Sequence, residues 1–182
     1  MRGVLISIEP TWCCLIASGR KTVEIRKTAP KIKTPFKCYI YCTKAKTKDE
    51  VLTSCNDLTD VRNGKVIGEF VCDKIDRHGK TDLIIKEDRE NATKGSCVSR
   101  SELYTYLGAF PITTSSDKKL DFFCWHISDL RIYEKPKDLG DFRKYSCNCP
   151  FPYIYTAPCE KCDEKEIKRP PQSWCYVEEL PD

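Results

Sequence analysis

Six stretches in which apolar side chains recur at every second position constrain this 182-residue chain more than any other feature. They cover residues 4–8, 20–26, 36–43, 65–75, 120–133 and 173–178. A period of two sends alternate residues to opposite faces of a pleated strand, so the chain reads as α+β and mainly β. Helix signals lie between the strands. Pro10 and Gly19 bracket a short helix over 11–18, because proline suits a first helical turn and glycine accepts the left-handed position that ends one. Thr47-Lys48-Asp49-Glu50 and Ser99-Arg100-Ser101-Glu102 both have the form of a capping box. The first predicts an amphipathic helix through Val51, Leu52, Cys55, Leu58 and Val61. The second predicts a short helix through Leu103, Tyr106 and Leu107 that stops at Gly108. Residues 77–97 read as a polar connection with one short strand at Leu83-Ile84-Ile85, and Glu134-Lys135-Pro136 reads as the end of the strand that begins at Leu120.

An apolar fraction of 40% over this length allows one domain with a proper core. No window is long and apolar enough for a membrane span, and residues 4–8 are too short and too alternating for a signal peptide. The expectation is a cytoplasmic protein, monomeric and without a membrane partner. Its thirteen cysteines are then expected to stay reduced, an odd number spread partly through strand-like runs. Four of them stand apart: Cys147 and Cys149 form a CxC, and after nine intervening residues Cys159 and Cys162 form a CxxC. Four thiolates in two close pairs can close a tetrahedral structural zinc site and cross-link a segment that lacks a core of its own. The alternative is a reduced cysteine-rich loop or a redox-labile pair. The expected organisation is a core over 1–135, this cysteine-rich insertion over 136–168, and a closing strand with a tail over 169–182. The core itself calls for no cofactor.

Charge is unevenly placed. Ten Lys or Arg residues and one acid, Glu24, fall between Arg20 and Lys48, while seven acids follow from Glu160 onward. That contrast points to a nucleic-acid-facing side and a solubilising side. Within the basic region, Gly19-Arg20-Lys21-Thr22-Val23-Glu24-Ile25-Arg26 concentrates lysine, carboxylate and arginine in one strand-like segment. Alternation places Val23 and Ile25 on one face and Thr22, Glu24 and Arg26 on the other. Lys21 falls on the side of Val23, at the strand's mouth. Tyr39 and Tyr41 could stack a base or sit half-buried as structural residues. Glu69 is a carboxylate within an otherwise apolar strand, and His126 is a lone histidine in the longest one.

The segment Gly19-x-Lys21-x-x-Glu24-x-Arg26 resembles the GxKxxExR signature of the ASCH domain, a PUA-like family. The context agrees in order along the chain: Ile-Ser-Ile-Glu-Pro at 6–10, Tyr-Ile-Tyr-Cys-Thr at 39–43, Val-Ile-Gly-Glu-Phe at 66–70, Trp-His-Ile-Ser at 125–128 and Pro-Pro-Gln-Ser-Trp-Cys-Tyr-Val at 170–177. It is similar to ASCH proteins common in Firmicutes and their phages. The resemblance implies a small, closed or nearly closed β-barrel flanked by short helices, with a cleft at the signature strand for RNA or a nucleotide. In a binding module, Lys21, Arg26 and the basic loop would engage phosphate and Glu24 would accept a hydrogen bond. Tyr41, Thr43, Lys44, Glu69 and Trp174 would complete the ligand-binding set, with Tyr41 or Trp174 as a stacking face. Some members are enzymes, ribonucleases or amidohydrolases of acetylated cytidine that use a lysine, a threonine and a glutamate. The alternative is therefore a hydrolase with Lys21 and Glu24 as catalytic residues and His126 more distant. The amidohydrolase threonine falls at Glu24, so Thr22 would have to supply the hydroxyl. A third reading is a protein-interaction scaffold.

Overall fold

A computed structural model describes residues 1–44, 64–79, 82–83, 86–108, 121–145 and 166–181. The elements are β1 (Arg2–Ile8), α1 (Pro10–Ala17), β2 (Val23–Arg26), β3 (Phe36–Cys42), β4 (Val66–His78), α2 (Lys86–Ala92), α3 (Arg100–Leu107), β5 (Phe122–Lys137), a 3-10 turn at Leu139–Asp141, and β6 (Trp174–Glu178). The strands form a mixed six-stranded sheet in the order β2-β5-β4-β3-β1-β6. β1 is parallel to β3 and antiparallel to β6, and β2 is antiparallel to β5. The expected closed barrel is therefore an open sheet, since among the described residues each terminal strand pairs on one side only.

Two compact units divide the chain, one of residues 1–14, 36–71 and 129–182, the other of residues 15–35 and 72–128. In the first, β1 runs between β3 and β6, and Val4, Leu5 and Ile6 are completely buried. A strand covered on both faces carries a nearly continuous apolar run, and β3 follows the same rule from Cys38 to Cys42. Tyr39 and Tyr41, which alternation alone leaves half-buried, are buried with Leu5, Val66, Tyr133, Phe142, Ile167 and Val177. The Tyr39 hydroxyl accepts the Leu180 N–H at 2.8 Å, and its ring meets Phe142 edge-on at 4.9 Å.

In the second unit, Val23 and Ile25 of β2 pack with Phe122 and Cys124 of β5 and with Leu83, Leu103, Tyr104 and Leu107. α3 begins at the capping box read from the sequence: the Glu102 N–H donates to the Ser99 hydroxyl, and the Ser99 N–H donates to the Glu102 carboxylate. It ends at Gly108 with φ 66°. Its inward residues are Leu103, Tyr104 and Leu107, while Tyr106 is exposed. Leu83 lies in helical rather than strand geometry, and its carbonyl accepts from both Tyr104 and Arg89. β5 also departs from expectation by running through Pro136 to Lys137. Proline lacks only a donor, and Pro136 lies well beyond residues 123–126, the stretch of β5 that pairs with β2. The helix expected over residues 47–63 and the cysteines at 147, 149, 159 and 162 lie outside the described residues.

Two substitutions test this packing. A Cβ at Gly68 would lie 2.5 Å from the Arg131 carbonyl oxygen, a backbone atom that cannot rotate away. Gly68→Ala is therefore expected to lower unfolding stability by about 1–3 kcal/mol in urea denaturation. Ser99→Ala is expected to cost about 1 kcal/mol through loss of the cap.

Candidate functional site

The signature strand is held by backbone contacts before its side chains come into play. Gly19 ends α1 with φ 72°, and the Lys21 N–H donates to the Leu15 carbonyl at 2.9 Å. Thr22 and Val23 then both donate to the carbonyl of Gly95, at 2.8 and 3.1 Å, and Thr22 accepts from the Ile127 N–H at 2.9 Å. Gly95 sits at φ 80°, where a side chain would be strained, and a Cβ there would lie 2.4 Å from the Thr22 hydroxyl oxygen. Regular strand geometry begins only at Val23, so the alternation does not reach Lys21 or Thr22.

Lys21 consequently lies beside Glu24 rather than on the face of Val23 and Ile25. Its Nζ donates to the Ser96 carbonyl at 2.7 Å and stands 3.2 Å from Glu24 Oε2. The other carboxylate oxygen, Oε1, is 3.0 Å from Arg26 Nη2. The three side chains form a cation–anion–cation row, and the residues expose only 2%, 6% and 8% of their surface. A solvated surface pair is thereby excluded. Glu24 is the cross-strand partner of Trp125, so the fully buried indole lies on the carboxylate's face and keeps water from it. Arg26 carries the row outward by hydrogen bonding Tyr106, whose residue is 41% exposed. Burial of the phenol and the Glu24 charge push the Tyr106 pKa up, against the opposing pull of Arg26. Lys27 Nζ lies 5.0 Å from the Tyr106 ring centre, and Lys31 and Lys33 of the following loop are exposed.

Thr22, expected on the face of Glu24, is instead exposed and lines a cavity of about 750 Å³ with Val23, Lys74, Asp76, His78 and His126. In it, His126 Nε2 lies 2.8 Å from Asp76 Oδ2, and Lys74 Nζ lies 2.8 Å from the same oxygen. Burial raises the Asp76 pKa, but its hydrogen bonds to Lys74 and His126 outweigh that and hold it below the ordinary carboxylate range.

The remaining expected ligand residues belong to the other unit, in separate places. Tyr41, Thr43 and Lys44 line one cavity of about 570 Å³. Glu69 lines another, where it accepts the Tyr133 hydroxyl at 2.5 Å. Trp174 packs edge-on against Tyr176 at 5.3 Å. The parts played by Gly95, Ser96, Tyr106 and Asp76 escape sequence reasoning. Gly95 carries a signal as an isolated glycine beyond a helix; the others carry none, because their roles arise from tertiary contacts. Among the described residues no cluster of three or more His, Cys, Asp or Glu side chains could hold a metal ion, and no helix is long and apolar enough to cross a membrane.

No family model and no curated protein matches the sequence. Solved structures do. A mutant ASCH protein from Zymomonas mobilis aligns over 97% of this chain and 88% of its own, at 16% identity and a TM-score of 0.57. The parent ASCH structure from the same organism aligns over 75% of this chain and 73% of its own, at 20% identity and a TM-score of 0.48.

Replacing the central charge is expected to be the most disruptive change in the row. Glu24→Gln leaves Lys21 and Arg26 buried without the carboxylate between them and should cost about 3–5 kcal/mol in equilibrium unfolding. Cysteine reactivity offers a second check, since burial pushes Cys72 and Cys124 up to about 12 and Cys175 to about 11. Among the eight cysteines of the described residues, iodoacetamide at pH 8 should label exposed Cys97 first and leave those three unmodified, as read by peptide mass spectrometry.

Proposed function

We propose that this chain, which has the ASCH-domain fold, is a binding module for RNA or a nucleotide, with the Gly19 to Arg26 segment as the floor of its binding surface. The observation that carries the reading is the buried Lys21–Glu24–Arg26 row and its outward continuation through Tyr106. Burying three charges costs several kcal/mol each before their attraction repays it, so an apolar floor would be at least as stable. What the row supplies is a fixed orientation for Arg26 and Tyr106 beside Lys27, with Lys31 and Lys33 exposed in the loop that follows β2. A half-exposed aromatic ring flanked by cations is the combination that binds single-stranded nucleic acid, the ring stacking on a base and the lysines meeting phosphates. Lys21 and Glu24 then act as positioning residues and Tyr106, Lys27, Lys31 and Lys33 as contacts. Arg26 serves both ends.

A hydrolase is the second reading, and one observation favours it: exposed Thr22 shares a cavity with the His126–Asp76 pair. A histidine held by a carboxylate near a hydroxyl is the arrangement of an activated nucleophile.

Fluorescence anisotropy with a single-stranded RNA across a salt series tests the binding reading. Tyr106→Ala should weaken binding by roughly fivefold or more. Lys31→Ala/Lys33→Ala should reduce the slope of log K against log salt by roughly 0.7 for each phosphate that the variant no longer neutralises. Absence of RNA and nucleotide binding by the wild type would sink the proposal. Cleavage of RNA or deacetylation of acetylcytidine by the wild type, abolished in His126→Ala, would establish the second reading instead.

A further inference from the structure

The second half of β5 has an alternation that the proposed function does not use. Arg131, Tyr133, Lys135 and Lys137 fall at every second position, so they share one face at roughly 6.6–6.8 Å spacing. They line a cavity of about 520 Å³ together with Lys37 and Glu69. All of these residues belong to the unit that does not contain Lys21.

Lysines and proline discourage pairing with another chain where a strand runs past its neighbour, and Lys135-Pro136-Lys137, beyond the stretch of β5 that pairs with β2, fits that role. Edge protection does not account for the interior of the cavity. There Glu69 accepts the Tyr133 hydroxyl at 2.5 Å, while Lys37 Nζ and Arg131 Nη1 approach Glu69 Oε1 only to 3.8 and 3.9 Å. Arg131 and Lys137 also flank the Tyr133 ring, at 6.0 and 5.2 Å from its centre. Burial and the Glu69 contact push the Tyr133 pKa upward, so the phenol keeps its proton and remains a donor to Glu69. Of the four cations that line the cavity, two thus stand at the limit of contact with a carboxylate whose shortest contact is to a neutral hydroxyl. Glu134 at the rim leaves the lining with four positive and two negative groups, an excess of positive charge in a concave site.

We infer that this cavity is a second ligand site, for a phosphate-bearing molecule: Lys37, Arg131, Lys135 and Lys137 take the phosphate oxygens, and Glu69, oriented by Tyr133, accepts a hydrogen bond from a hydroxyl or amino group of the same ligand. The inference goes beyond the proposed function, because it uses none of the residues around β2. The phosphate can belong to a free small molecule or to an RNA backbone.

Isothermal titration of the full chain with pyrophosphate tests it. The wild type should bind saturably with one equivalent. Lys135→Ala/Lys137→Ala, two changes at the outer rim that spare the core, should weaken binding at least about tenfold. Pyrophosphate has no donor to offer Glu69, so Glu69→Gln should tighten it about threefold or more by removing repulsion, and Glu134→Gln should do less. Tyr106→Ala should bind pyrophosphate as the wild type does, whatever its effect on RNA. Displacement of pyrophosphate by a single-stranded RNA would assign the phosphate to a backbone; failure of RNA to displace it would assign the site to a free molecule, and both support the inference. It is overturned by absence of saturable binding, by unchanged affinity in the double lysine variant, or by an effect of Glu134→Gln as large as that of Glu69→Gln.

Discussion

The carboxylate of Glu24 is the interaction on which the second unit depends. With one oxygen 3.2 Å from Lys21 and the other 3.0 Å from Arg26, it is the negative charge that lets two cations remain in a nearly dry interior. Without it, both would have to turn toward water, and the strand that carries them would lose its reason to lie buried on both faces. Its apolar side, Val23 and Ile25, meets the α3 core, so one four-residue strand carries a hydrophobic contact and an electrostatic one back to back.

That arrangement needs backbone precision more than side-chain variety. The Gly95 carbonyl receives two successive N–H groups of the approach to β2, and the neighbouring Ser96 carbonyl receives the lysine. A single turn therefore fixes where β2 starts and where its first charge ends up. The turn is itself tied to the chain just after α2, where the Ser96 N–H donates to the Thr93 carbonyl at 2.9 Å, and the Ser96 hydroxyl accepts the Val98 N–H at 3.2 Å. Precision at the candidate site is thus drawn from backbone bonds local to one turn.

Features governed by local rules are legible in the sequence. The capping box at Ser99, the glycine stops at Gly19 and Gly108, the strands at 36–42 and 174–178 and the 66–75 part of β4 follow from short-range periodicity and cap chemistry, whereas β4 runs on to His78, into residues expected as a polar connection. Sequence and structure part where tertiary contacts overrule the pattern. Lys21 lies on the face opposite to the one that alternation assigns it, because the strand begins later than the pattern implies. Leu83 has the apolar neighbours of a strand residue, yet it closes a helical turn onto Tyr104. Pro136 has the look of a stop, although β5 tolerates it beyond the stretch that pairs with β2. The open sheet lies beyond the sequence altogether, since closure depends on which strand ends pair, and the pattern of one strand says nothing of that.

The order of the strands also sets a timetable. β1 is made first, but its two partners are separated from it very unequally: β3 follows within a few dozen residues, whereas β6 pairs Glu178 with Arg2. During synthesis one flank of β1 can be satisfied early while the other, with its row of backbone donors and acceptors, waits until β6 is made. The nascent protein must therefore carry an open, strongly apolar edge from the time β3 pairs until β6 arrives. Such an edge is a template for any extended segment that arrives before β6 does, and protection of it by chaperones would bear on yield more than on final stability.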